Sequence, residues 1–88
     1  MKRIANIFKV LGQETRIKIL YSIMKREKCV KEILKGVKKS QPTVSIHLNM
    51  MEREKIVESK KTGRERIYKI KNNKIISLLK IAEEISNE

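Results

Sequence analysis

Ser40-Gln41-Pro42 separates two short amphipathic runs with almost no chain between them. A serine at an N-cap accepts from an otherwise unpaired amide, and proline is tolerated in the first turn, where its missing N–H forfeits no bond. The run that follows carries Val44, Leu48 and Met51 at helical spacing and extends to about Lys55. The run before it carries Val30, Ile33, Leu34 and Val37 and spans barely two turns. Two helices this short cannot bury their stripes against each other alone, so the rest of the chain must complete the core.

The remaining pattern supplies that material. Ile4, Ile7, Phe8 and Leu11 predict a first helix stopped by Gly12. Ile17, Leu20, Tyr21 and Met24 predict a second, closing in the basic run Lys25 to Lys28 that suits a helix C-terminus. Beyond Lys55 the period shortens. Segments 56–61 and 64–71, β-branched and aromatic, read as a hairpin turning at Thr62-Gly63. Asn72 or Asn73 caps a last helix with the stripe Ile75, Leu78, Leu79, Ala82 and Ile85, widened by Ile76 and Ile81. The predicted fold is one domain over 1–88, mainly α with a small β-hairpin, in the order α-α-α-α-β-β-α.

The residue inventory excludes much. The 88 residues contain 22 Lys and Arg, 10 acids that are all Glu, one His and one Cys, for a formal charge of +12. Asp-dependent sites are excluded, and serine-type triads and multi-Cys zinc sites are hard to assemble from this set, so the reading is not an enzyme, with no metal, cofactor or small-molecule substrate. The lone Cys29 forms no internal disulfide, which fits a reducing, cytoplasmic setting. No apolar run approaches the roughly 20 residues of a membrane span. Strong positive charge then favours nucleic acid as partner.

Two short helices across a tight turn, followed by a hairpin, form a winged helix-turn-helix, whose second helix enters the ~12 Å major groove of double-stranded DNA. Three stretches also resemble a known family. Residues 7–20, IFKVLGQETRIKIL, are similar to the opening of ArsR-type repressors; residues 40–48, SQPTVSIHL, resemble their recognition helix; residues 63–70, GRERIYKI, resemble their wing strand. The likeness covers about residues 4–71. It implies a homodimeric winged-helix repressor whose terminal helices, about 2–12 and 73–87, form the dimer interface. Ile4, Ile7, Phe8, Leu11, Ile75, Leu78, Leu79, Ala82 and Ile85 are the interface candidates, because two wide apolar stripes flank a core the middle elements already supply.

The family pattern is broken in four places. Metal-sensing members carry a Cys-Val-Cys box before the turn, where this chain has Cys29-Val30-Lys31. Others place Asp and His ligands on the last helix, and residues 72–88 contain neither. Lys38 stands at the family's turn glycine, and Ile46 where an arginine is usual.

Rotation at 100° per residue puts Pro42, Thr43, Ile46, Asn49 and Met50 opposite the core stripe, with Gln41 and Ser45 on one flank and His47 on the other. The recognition-helix candidates are therefore Ser40, Gln41, Thr43, Ser45, Ile46, His47 and Asn49. Asn and Gln suit adenine, Ile and the Thr methyl suit the thymine methyl, and no Arg is placed for guanine, so an A/T-leaning half-site is expected. Lys60, Lys61, Arg64 and Arg66 surround the hairpin turn and are the wing candidates for phosphate contact.

Charge divides along the same lines. Residues 1–39 hold 12 basic and 3 acidic side chains, a net of +9; residues 40–55 balance; residues 56–74 come to +5 and 75–88 to −2. A neutral reading helix between basic supports is the division expected when phosphates position a protein and uncharged groups read bases. The competing readings use charge alone. A non-specific architectural or RNA-binding protein would lose affinity at moderate salt and discriminate little, and three aromatic residues offer few stacking platforms for RNA. A membrane-surface protein would want boundary Trp, which is absent.

Overall fold

The computed structural model describes residues 1–88. Helix α1 (Lys2–Leu11) ends at Gly12, and α2 (Glu14–Ile23) starts at once behind Gln13, whose side chain accepts from the Arg16 amide. After strand β1 (Lys28–Cys29) come α3 (Val30–Gly36) and α4 (Gln41–Arg53). The hairpin is β2 (Val57–Thr62) and β3 (Glu65–Ile70), and α5 (Asn73–Ser86) closes the chain behind Asn72, whose side chain accepts from the Lys74 amide.

The helical order matches the sequence reading, and three details differ. The first is β1, which the sequence reading did not contain. It pairs antiparallel with β3, Lys28 opposite Tyr68 and Cys29 opposite Ile67, so the hairpin is the greater part of a three-stranded sheet ordered β1-β3-β2. Two residues carry no period to detect. Only the tertiary neighbour makes them a strand.

The second concerns the turn. Strand pairing runs from Val57↔Ile70 to Thr62↔Glu65, leaving Gly63 and Arg64 as the two loop residues, one position later than Thr62-Gly63. Gly63 has φ +64 while Arg64 does not turn positive, the pattern of a type II′ hairpin, whose twist matches its strands. Glycine suits only the first of the two loop positions, which sets the register.

The third is the face of α2. The expected stripe was Ile17, Leu20, Tyr21 and Met24, but Thr15, Ile19, Leu20 and Ile23 are the buried residues. Helix α2 packs against α1, α3, α4 and β3, so its buried arc is set by four neighbours rather than one. Tyr21 turns outward, and its hydroxyl donates to Glu83 of α5 at 2.6 Å.

The core joins Ile19, Leu20 and Ile23 of α2 with Ile33, Val37, Val44, Leu48 and Met51 of the helix-turn-helix and Ile56, Val57, Tyr68 and Ile70 around the sheet. Each large apolar side chain buried there contributes about 1.5–3 kcal/mol. The core fixes α4 by one face only, Val44, Leu48 and Met51, as expected.

The end of α4 is fixed with similar economy. The Ile56 amide donates to the Met51 carbonyl at 2.9 Å and the Lys55 amide to that of Glu52 at 3.1 Å. With Lys55 at φ 62, this is a Schellman motif completed by the apolar pair Met51 and Ile56, both buried. It swings the chain directly from α4 into β2. In the α3–α4 turn, by contrast, Lys38 keeps a negative φ, so the missing family glycine is not required there.

Candidate nucleic-acid interface

Ser40 opens the interface as the cap of α4. Its Oγ accepts from the Thr43 amide at 3.3 Å and donates to Thr43 Oγ1 at 2.9 Å. The cap therefore spends its own proton on Thr43 Oγ1 and leaves the Thr43 hydroxyl proton free. Between Thr43 and Met50, His47 is the α4 residue whose side chain bonds within the chain. Gln41 and Asn49 are exposed and Ser45 is half-buried, and the side chains of all three are without partners within the chain.

Ile46 is 67% exposed, a large aliphatic side chain held in water by a helix whose opposite face is fully buried. Pro42 is exposed beside it, whereas Thr43 and Met50 are half-buried, Met50 packing against the edge of the core. The outward face thus combines small polar groups with one apolar contact, and the first-turn amides lie at its N-terminal end, where a phosphate is favoured.

His47 is engaged from inside. Its Nδ1 accepts from Arg16 Nε at 3.1 Å, and Arg16 Nη1 also donates to the Val10 carbonyl at 3.4 Å. Burial, with the Arg16 charge beside it, pushes the His47 pKa below its ordinary value, so the ring is neutral at physiological pH. Arg16 was not among the sequence candidates. No period signals a contact between residues 31 positions apart.

The wing presents its cations unequally. Lys60, Lys61 and Arg64 are exposed, Arg64 at the loop itself. Strand alternation sends Lys61 to the face of Val57, Ser59 and Arg66, and Lys60 to the other. On the first face Arg66 donates to Ser59 Oγ at 3.1 Å, and Ser59 donates to Glu52 of α4 at 2.8 Å. That chain of bonds ties the wing to the reading helix and holds Arg66 along the strand.

Cys29 is buried at the junction of β1 and α3, where the Glu32 carboxylate accepts from the Cys29 amide at 3.3 Å. Glu32 is held in turn by Arg26 at 2.9 Å, which keeps its carboxyl below the usual range. The Glu65 carboxylate pushes the thiol up, outweighing the Glu32 backbone that pulls it down. These features make Cys29 a helix-start residue with a protonated thiol. No three His, Cys or Glu side chains converge anywhere in the chain.

The interface candidates on the terminal helices separate into two groups. Leu11, Ile75 and Leu79 are buried in the protomer's own core, and Ile7 and Leu78 are half-buried against it. Ile4, Phe8 and Ile85 are exposed, at 50%, 59% and 63%, and Ala82 is exposed with them. Ile81, which only widened the expected stripe, is equally outward at 54%. No helix is long and apolar enough to cross a membrane.

Comparison with known proteins agrees with this arrangement. The family model for arsR-family bacterial regulatory proteins matches residues 13–59, from the α2 cap into the wing. An uncharacterised HTH-type transcriptional regulator of Methanocaldococcus jannaschii is 34% identical, the match covering 96% of either chain. The cadmium resistance regulatory protein CadC of Listeria innocua is 33% identical over 97% of this chain and 72% of its own. Among solved structures, Rv0081 of Mycobacterium tuberculosis superposes with a TM-score of 0.89 at 30% identity, over 98% of this chain and 87% of that one. The homodimeric winged helix-turn-helix domain of Mycobacterium bovis Mb0332 shares the fold, with a TM-score of 0.89 at 22% identity, over 99% of this chain and 81% of that one. The chain belongs to the arsR family of bacterial regulatory proteins and is a winged helix-turn-helix, DNA-binding transcriptional regulator.

Proposed function

We propose that this chain represses transcription as a homodimer that occupies a palindromic operator in the cytoplasm, reading an A/T-leaning half-site with each α4. The observation that carries the reading is the outward face of α4, where Gln41, Ile46 and Asn49 stand exposed on a helix rigidly held from behind. Gln and Asn can each make paired bonds to adenine, and Ile46 offers its methyls to thymine. Thr43 and Ser45 add hydroxyl contacts, and Ser40 presents the helix N-terminus to a phosphate. Lys61, Arg64 and Arg66 hold the flanking backbone, whereas Lys60, on the opposite face of β2, does not.

The exposed Ile4 and Phe8 of α1, with Ile81, Ala82 and Ile85 of α5, form the surfaces a second copy covers. A two-fold dimer sets two recognition helices about 34 Å apart, one turn of the duplex. Metal sensing through the family's Cys box is not part of this reading, because Lys31 stands where the second thiolate would be and Cys29 is buried as a helix start. The chain is read as non-enzymatic and without a cofactor.

Selection of duplexes from a random pool at physiological salt, with the stoichiometry of the complex measured alongside, tests the whole reading. A palindromic A/T-rich consensus bound by two chains is expected. G/C-rich half-sites would refute the base assignments, and a monomer on DNA would refute the dimer. Phe8→Glu with Ile85→Glu should yield folded monomers by sedimentation at micromolar concentration.

A further inference from the structure

His47 is the chain's single histidine, half-buried on the flank of α4, and a cation holds one of its two nitrogens. The Arg16 Nε–H can only donate, since a guanidinium has no acceptor and stays charged in proteins. Nδ1 must therefore be the bare nitrogen of a neutral ring, and the ring proton must reside on Nε2. Arg16 is itself anchored, because Nη1 donates to the Val10 carbonyl near the end of α1. The side chain is thus strapped between α1 and α4 rather than free to follow the imidazole. With Nδ1 turned inward, Nε2 leaves the ring on the nearly opposite side, and no group of the chain bonds to it.

We propose that Arg16 is a positioning residue of the DNA interface: by occupying Nδ1 it fixes His47 as an Nε2–H donor for an acceptor on the duplex, a purine N7 or a phosphate oxygen. The proposal rests on the reading of α4 as the recognition helix and adds to it which ring nitrogen makes contact, in what protonation state, and what holds it there. The opposite tautomer would present a lone pair to DNA, whose phosphate oxygens and purine N7 atoms are acceptors too. Arg16 removes that misfit before binding. A neutral donor also releases no counterion of its own, so this contact adds affinity with little salt dependence.

The test has two arms. With histidine labelled in its ring by nitrogen-15, the free protein gives one imidazole, and its two nitrogen shifts report the tautomer directly. Wild type should show the Nε2–H form alone, and Arg16→Met should admit the Nδ1–H form that a free neutral imidazole populates as its minor tautomer, while keeping a cooperative unfolding transition. On a selected duplex, Arg16→Met and His47→Ala should each weaken binding about three- to tenfold, the range of one lost hydrogen bond, and the double variant no further. Either 7-deazapurine substitution or neutralisation of one phosphate should erase the difference between wild type and His47→Ala, and which one does so identifies the acceptor. An Nδ1–H tautomer in wild type overturns the positioning role even if DNA binding stands. So does Arg16→Met binding like wild type, or additive losses in the double variant. A wild type that selects no duplex overturns the recognition-helix reading and this proposal with it, leaving the tautomer as the independent record of the Arg16 contact.

Discussion

Lys60 and Lys61 are adjacent in sequence, yet the register of the wing separates them. Lys60 stands opposite Ile67 and Lys61 opposite Arg66, so their side chains leave opposite faces of β2. The Lys61 face is the one tied to α4 through Ser59 and Glu52, so under the proposed reading of α4 it is the face turned toward the duplex. Lys61→Ala should therefore remove one phosphate contact per wing, two per dimer, and Lys60→Ala none. Each contact contributes ~0.9 to the slope of log affinity against log salt, so the Lys61 variant should flatten that slope by about 1.8. Across a fourfold rise from about 50 to about 200 mM salt, wild type should then lose roughly twelvefold more affinity than the variant. Fluorescence anisotropy on a selected duplex at stepped salt measures this, with circular dichroism confirming equal folds. Equal flattening by Lys60→Ala, or about twice the effect in the double variant, would show that both faces meet the backbone and would refute the argument from strand alternation.

Three further outcomes follow from local geometry. Lys55→Gly should stabilise the protein by about 0.5–1 kcal/mol by relieving a left-handed non-glycine residue, a rise of about 3–5 °C in midpoint at fixed protein concentration; a lower midpoint would contradict the Schellman assignment. His47 has a folded pKa below its unfolded value, so the unfolded chain binds more protons as pH falls; stability should be full above about pH 6.5 and decline as pH drops toward the folded pKa. His47→Gln should lessen that decline, and an unchanged pH profile would argue against the burial of the ring that, with the Arg16 charge second, lowers its pKa. The Cys29 thiol, buried and raised by Glu65, should alkylate far more slowly than an unfolded peptide thiol at mildly alkaline pH, and Glu65→Gln should speed it; a wild-type rate equal to the peptide's would sink the structural role of Cys29.

Where the sequence was legible, one local pattern had one physical solution. Ser40 and Pro42 mark the start of α4 because capping and the missing amide act within a single turn, and Val44, Leu48 and Met51 give its buried face because that helix is packed from one side. Gly12, Asn72 and the hairpin glycine are local in the same way. Where several neighbours share an element, the pattern no longer has one solution. Helix α2 is packed from four sides, so its stripe does not reveal its buried face, and Tyr21 is outward because a carboxylate on α5 awaits it.

The sequence by itself determined the order of the helices, the hairpin, the cap and outward face of the reading helix, and the division of charge between a neutral reader and basic supports. Periodicity, capping and net charge are properties of a few consecutive residues, so they can be read from a line of letters. The tertiary structure alone decided that Lys28 and Cys29 form a strand, that the face of Lys61 and not that of Lys60 is tied to α4, that Leu11, Ile75 and Leu79 belong to the protomer's core, and that Arg16 holds His47. Each of these depends on a hydrogen bond or a covered surface supplied from far along the chain, and such a partner leaves no mark in the local pattern.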